Sequence, residues 1–374
     1  VSTYCPLPFK HVFVETKGIK PCCSYTKVFS GTIDDWIDSD ELAQLQSDLL
    51  NNRYNDGCIS CLEADAVDKF STRTTAFVDY GPTIYDHTDI DYVDLRSSNV
   101  CNFKCRSCEP SYSSKIAAEI RRNPKLAEFY SPVELLPQEQ NTHWILNNLS
   151  TLTRIMFTGG EPTQIPVVKQ LLLEISKRNL TDINIQIVSN GSFTDKFWFD
   201  ITNELSNINW IISLDACSNQ AELIRDGTQW DLISNNIEKL FDVANSITIS
   251  TVVTALNVLH LSELFWFINH MRQLKINTGT SFGHSLSICN YPKHFSPYNW
   301  PDDLKPKIIE KLKSALNNAQ LDTQKNTLDI LIKNIQHTEF NAALWDQFML
   351  HNRAIDDVRN QNFFDLLIEE PLHV

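Results

Sequence analysis

From about residue 88 onward, apolar runs alternate with amphipathic stretches, and this alternation restricts the fold more than any other feature of the chain. IDYVDLRSS, RIMFTGG, INIQIVSNG, NWIISLDA and SITISTVVT read as buried strands, each ending in small or polar residues. Between them, WILNNLSTL, VVKQLLLEISKR, KFWFDITNEL and DLISNNIEKLFDVA place apolar residues three and four apart, the spacing of a helix with one buried face. Strand and helix repeated in this order predict an α/β fold with a parallel sheet, open or closed into a barrel. Functional residues of such sheets gather at the carboxyl ends of the strands. The unusual residues of this chain stand at those ends.

The flanking regions read differently. Near the start, Val12 and Val14 alternate ahead of Lys17-Gly18 and Ile19, the pattern of a short hairpin. SDELAQLQSDLLNNRY then sets Leu42, Leu45, Leu49 and Leu50 at helical spacing, with Ser39 or Asp40 as the cap. After residue 296 the spacing predicts helices over 304–318, 322–337 and 340–358, a helical appendage. No internal repeat or low-complexity tract is present. At 374 residues the chain exceeds one small core, and its composition, 42% hydrophobic and 21% charged, is that of an ordinary globular protein. A formal charge of -14 disfavours nucleic acid as a partner. The sequence shows neither an apolar run of membrane-spanning length nor a secretory pattern, so a cytoplasmic protein is expected. Val1 in place of a methionine reads as processing or trimmed numbering.

Ten cysteines in a reducing compartment point to metal rather than to disulfides. Cys22 and Cys23 are adjacent, Cys58 and Cys61 are close, and NVCNFKCRSCEP carries Cys101, Cys105 and Cys108. A cubane iron-sulfur cluster normally takes four thiolates, so three on one loop leave one iron open, as a catalytic metal requires. A structural zinc loop is the other use of such spacing. The triplet follows the first core strand.

CxxxCxxC at Cys101, Cys105 and Cys108 resembles the radical S-adenosylmethionine (radical SAM) enzymes. In that family the open iron chelates the amino and carboxylate groups of SAM, and one electron cleaves SAM to methionine and a 5′-deoxyadenosyl radical that abstracts hydrogen. Later motifs, in the order seen in that family, strengthen the resemblance. FTGGEPT is similar to the motif in which Gly159, Gly160 and Glu161 meet the SAM amino group. SNG places Asn190 in a polar turn facing SAM, ISLDA offers Ser213 and Asp215 to the ribose, and Arg225 matches a residue that pairs with the SAM carboxylate. Ser107 stands where an aromatic often precedes the last cluster cysteine, which leaves Phe103 as the candidate to stack on adenine. The resemblance covers about residues 88–290 and implies a partial (β/α)6 barrel.

CPLPF, KGIKPCC and DGCISC resemble the auxiliary-cluster modules called twitch and SPASM, which usually follow the barrel rather than precede it. The resemblance implies a second, fully ligated [4Fe-4S] cluster on Cys5, Cys22, Cys58 and Cys61, with Cys22 preferred over Cys23. Zinc is the alternative occupant. The expected organisation is an auxiliary module at 1–87, a radical SAM barrel at 88–295 and a helical region at 296–374. Proteins with such modules often modify peptides, so a peptide substrate and an external electron donor such as flavodoxin or ferredoxin are expected. The alternatives are a small metabolite or nucleotide substrate, and an iron-sulfur electron carrier or sensor that does not cleave SAM.

Cys217 and Cys289 each follow a core strand, which makes them candidates to return a hydrogen atom to a substrate radical, beside the plainer reading of small buried hydrophobes. His284 is a candidate for substrate binding or proton transfer. Trp144, Trp198, Trp210, Trp230 and Trp266 lie in apolar patterns and are expected in the core.

Overall fold

Among the described residues ten strands follow one another: β1 (His11–Glu15), β2 (Gly18–Lys20), β3 (Tyr92–Leu95), β4 (Lys104–Cys105), β5 (Arg154–Phe157), β6 (Asn184–Ser189), β7 (Ile208–Ser213), β8 (Arg225–Asp226), β9 (Ser246–Val253) and β10 (Ser281–Ile288). The computed structural model describes residues 2–66, 71–136, 138–274 and 278–367. The fold is mixed α/β with parallel pairing and a helical C-terminal region. Strands β3, β5, β6, β7, β9 and β10, each paired in parallel with a neighbour, are the six expected of a partial barrel. The chain divides into two compact units, one of residues 1–100 and 134–187, the other of residues 101–133 and 188–374.

In the first unit the expected hairpin forms, with Val14 of β1 opposite Ile19 of β2 in antiparallel register. The other edge of β1 runs parallel to β3, so the hairpin extends the sheet. β3 then pairs in parallel with β5, and β5 with β6. All five residues of β1 are buried, as suits a strand with a partner on each edge. The helix Asp40–Leu50 starts where Ser39 Oγ accepts the Leu42 amide at 3.1 Å, and it buries Leu42, Leu45 and Leu49. Pro at the first turn of Pro166–Lys177 sets its start without losing a hydrogen bond. That helix buries Val168, Leu171, Leu172 and Ile175, which share one face.

In the second unit β7 and β10 both pair in parallel with β9. The sequence reads these strands as continuous buried runs, but their burial alternates. Ile208, Trp210 and Ile212 of β7, and Ile247, Ile249, Thr251 and Val253 of β9, are buried while the residues between them are mostly half-buried. One face therefore carries the densest packing. The C-terminal helices Lys305–Asn318, Asp322–His337 and Ala342–Arg359 are more than an appendage. Ile308, Leu312, Leu328, Leu331 and Phe348 share one apolar core with Val253, Phe265 and Trp300.

Trp198 and Trp210 are core residues, ring edge against ring face at 6.2 Å between centroids. Trp144 and Trp230 are half-buried. Trp266 departs from expectation at 63% exposed, its ring stacked on His270. The helix Leu261–Leu274 buries Leu261, Leu264, Phe265, Ile268 and Met271, and position 266 falls off that face.

His284 is bolted into the core instead of serving a site. Thr251 Oγ1 donates to the Leu214 carbonyl at 2.7 Å, so it accepts from His284 Nε2 at 3.0 Å, and Gln324 Nε2 donates to His284 Nδ1 at 3.0 Å. Burial lowers the imidazole to about 3 from the ordinary 6.5. The unfolded chain takes up this proton below 6.5 and the folded one does not, so the contribution is complete above 6.5 and is lost as pH falls toward 3. Between pH 7 and 5 the loss from His284 is about 2 kcal/mol, at ~1.4 kcal/mol per pH unit below 6.5. Unfolding free energies from urea titrations at the two pH values are expected to differ less by that amount in His284→Asn.

Candidate functional site

The cysteine triplet occupies a loop of the second unit that opens after Val100 and contains β4. None of the three cysteines is in a disulfide. The Phe103 amide donates to Cys101 Sγ at 3.4 Å, and the Cys108 amide to the Cys105 carbonyl at 3.1 Å. Burial pushes the Cys108 thiol up, and the nearby Cys105 and Cys101 push it further. β4 pairs antiparallel with β8, setting Cys105 opposite Arg225. Among the described residues, no three His, Cys, Asp or Glu side chains close around a single metal ion. A cluster asks for something different, since each of its cysteines binds a separate iron.

Arg225 Nη1 donates to Asp215 Oδ2 at 2.9 Å, and the Val252 amide donates to Asp215 Oδ1 at 2.9 Å. Burial works against the Arg225 charge, but Cys105 and Asp215 more than offset it and hold the guanidinium above its ordinary value. Its Nε is buried with no hydrogen-bond partner. An orphan cationic donor opposite Cys105 fits an anionic group that binds there. Asn190 turns toward the same loop. Its Nδ2 donates to Asn102 Oδ1 at 2.9 Å, Asn102 Nδ2 donates to Ser192 Oγ at 2.8 Å, and Ser192 Oγ donates back to Asn190 Oδ1 at 2.6 Å. Ser213, the last residue of β7, is half-buried. Phe103 is 1% exposed and lies against Gly227, too deep to offer an open face to adenine.

Gly159, Gly160 and Glu161 belong to the first unit, directly after β5. Their glycines serve a close approach to their own chain. The Gly160 amide donates to the Ser98 carbonyl at 3.1 Å and the Glu161 amide to the Val100 carbonyl at 2.7 Å. A Cβ on Gly160 would fall on the Val100 carbonyl, 2.6 Å from its carbon. Gly159 adopts φ +119°, a backbone that favours glycine. The Glu161 carboxylate is buried and accepts from Thr163 Oγ1 at 2.6 Å.

Residues 95–264 match the family described as the Radical SAM superfamily. The chain carries a radical SAM domain. That domain implies a [4Fe-4S] cluster and SAM, and supports an enzyme. The chain is 28% identical over 167 residues to an S-adenosylmethionine-dependent nucleotide dehydratase of Flammeovirga pacifica, covering 42% of this chain and 52% of that protein. It is 24% identical over 169 residues to the GTP 3′,8-cyclase of Helicobacter pylori, covering 44% and 47%. The chain thus spans about half the length of the curated relatives it matches. Among solved structures, SuiB of Streptococcus suis bound to the precursor peptide SuiA gives a TM-score of 0.40 at 15% identity, covering 74% of this chain and 57% of SuiB.

Ahead of the radical SAM domain, Cys5, Cys22, Cys58 and Cys61 line one cavity, together with Pro21, Tyr25 and Arg73. All four are free thiols. Burial lifts Cys5 to about 12, helped by Cys58 and Cys61, and it lifts Cys22 and Cys58 as well. The donor set fits a four-thiolate cluster, in which each cysteine would bind a separate iron, rather than a single metal ion. Cys23 is exposed and is not among the lining residues, whereas Cys22 is. His11 Nδ1, 2.9 Å from the Pro21 carbonyl, fixes the peptide that precedes Cys22.

Cys217 stands at the start of the helix Ser218–Ile224, pushed up to about 12 by burial and by Glu263. Cys289 lies within the apolar core, and its thiol donates to the Tyr291 carbonyl at 3.4 Å. The structure adds polar residues that sequence reasoning passed over. Asn102 and Ser192 adjoin recognised motifs, which was a usable signal. Asn236, whose Nδ2 donates to the Gly191 and Phe193 carbonyls, is an amide on the apolar face of a helix, and so is a visible anomaly.

Proposed function

We propose that this chain holds a [4Fe-4S] cluster on Cys101, Cys105 and Cys108, cleaves SAM reductively and abstracts hydrogen from a peptide. The observation that carries this reading is the placing of three cysteines outside any disulfide on one loop, with the unpartnered Arg225 Nε beside the middle one. When bound, the cluster and SAM supply the electron and the 5′-deoxyadenosyl group that removes hydrogen from the substrate. Arg225 receives the SAM carboxylate through Nε, Gly159, Gly160 and Glu161 form the turn for its amino group, and Ser213 meets the ribose. Asp215 and Asn190 act mainly by holding Arg225 and Asn102 in place, since they bond to these protein groups.

A second [4Fe-4S] cluster belongs on Cys5, Cys22, Cys58 and Cys61 in a twitch/SPASM-like module. This corresponds to a division into 1–87, 88–295 and 296–374, in a cytoplasmic enzyme served by a flavodoxin or ferredoxin. Cys217 and Cys289 are the two candidates to return a hydrogen atom to a substrate radical. A nucleotide is the second substrate reading, supported by the names of both curated relatives. The acidic balance of the chain favours an uncharged or basic peptide over a polyphosphate.

The test is anaerobic reconstitution followed by iron counting and quantification of 5′-deoxyadenosine after addition of SAM and a strong reductant. About eight irons per chain are expected, falling to about four in Cys105→Ala and in Cys22→Ala and unchanged in Cys23→Ala. Only Cys105→Ala is expected to abolish 5′-deoxyadenosine. A colourless reconstituted protein overturns both cluster assignments, and stimulation of product by nucleotides but not peptides overturns the substrate.

A further inference from the structure

Cys105 lies between two residues whose bonds lead to the same distant helix. On one side, the Lys104 carbonyl accepts from Arg359 Nη1 at 2.7 Å, while Arg359 grips Glu119 through Nε at 3.1 Å and Nη2 at 2.6 Å. On the other side, the Arg106 side chain is wholly buried. Its Nε donates to the Leu223 carbonyl at 3.0 Å, its Nη2 to Gln361 Oε1 at 2.8 Å and to Asp356, and its Nη1 to Asn352 Oδ1 at 3.3 Å. Its amide donates to the Ile224 carbonyl at 2.9 Å. A guanidinium sealed from water is tolerated only when its donors are met, and here each nitrogen has a partner. These bonds immobilise the backbone on both sides of one cysteine, and those to the Leu223 and Ile224 carbonyls also close the C-terminal end of the helix Ser218–Ile224.

We propose that the helix Ala342–Arg359 is the positioning element of the cluster loop, with Arg106 and Arg359 as the positioning residues that present Cys105 before any iron arrives. This rests on the reading of the triplet as the cluster loop. In that reading the C-terminal helices are part of the cofactor site.

The test uses the full chain in a Cys58→Ala, Cys61→Ala background, so that only one cluster is read. Hydrogen exchange is measured first in the metal-free protein for wild-type loop, Arg359→Gln and Arg359→Lys. Exchange at amides 102–108 is expected to quicken at least tenfold in Arg359→Gln while amides 344–355 stay protected. After reconstitution, the reduction potential is expected to move negative in Arg359→Gln, because a positive charge beside a ligating residue is gone. Arg359→Lys is expected to recover the potential but not the protection, since one ammonium cannot hold both Glu119 and the Lys104 carbonyl. Exchange at 102–108 within twofold of wild type, or acceleration spread equally over the helix, overturns the proposal. Where Arg359→Gln does not fold, Asp356→Asn, which trims only one bond of Arg106, is read in the same way. Undiminished iron in a Cys101, Cys105, Cys108→Ala triple variant would overturn the cluster reading instead, leaving the exchange result to judge the clamp by itself.

Discussion

Alanine at Gly160 is expected to lower 5′-deoxyadenosine production ~100-fold, the scale of loss when reacting groups are displaced by about 1 Å. The added Cβ would meet the backbone of Val100 and Asn99, which cannot swing aside as a flexible side chain would. Relief requires breaking the Gly160 to Ser98 and Glu161 to Val100 bonds, and Val100 is joined directly to Cys101. Overpacking of this kind costs about 1–3 kcal/mol, so the protein should still fold and the loss should appear in cluster loading and SAM binding. Gly283→Ala is the control. Its Cβ would find only Thr248 Oγ1 at 3.7 Å, an ordinary contact. Equal activity in the two variants would show that the turn tolerates a side chain and does not set the loop.

The second large effect is expected at Asp215. Its ion pair with Arg225 is buried on both sides, with side-chain exposures of 8% and 17%. Removing one partner of such a pair costs about 3–5 kcal/mol because the other charge is left without compensation. Asp215→Leu should therefore melt well below wild type. Arg225→Met combined with Asp215→Leu should recover most of that stability, since two apolar groups replace two buried charges. The double variant is nevertheless expected to bind no SAM. Thermal melts together with SAM binding read both effects. A double variant that melts no higher than the single one would show that the pair holds the fold together rather than serving the site.

Much of this was legible because it is local. The period of apolar residues located β5, β6, β7 and β9 and the helices between them, and Ser39 marked a helix start. Triplet and GGE turn were readable because their chemistry is carried by adjacent residues. What escaped was set by distance and by competition for partners. Nothing in Arg359 announces that it will reach Lys104, 255 residues earlier. His284 looked like a chemical group because strand position says nothing of the Gln324 and Thr251 that occupy both ring nitrogens. Phe103 sits in the motif but is turned inward by the room that Gly227 leaves. Trp266 shows the opposite error, since an apolar neighbourhood in sequence does not fix which face of a helix a residue takes.

The bond from Arg106 to Asp356 spans 250 residues. At ~5–20 residues per second, a ribosome needs roughly 12–50 s to make the intervening chain. The triplet therefore emerges long before the helix that braces it, and for that interval its cysteines are unbraced nucleophiles. Iron delivered during synthesis would meet a loop still free to rearrange. Iron delivered afterwards would meet one already shaped, so maturation of this protein should favour loading that waits for the helix to dock.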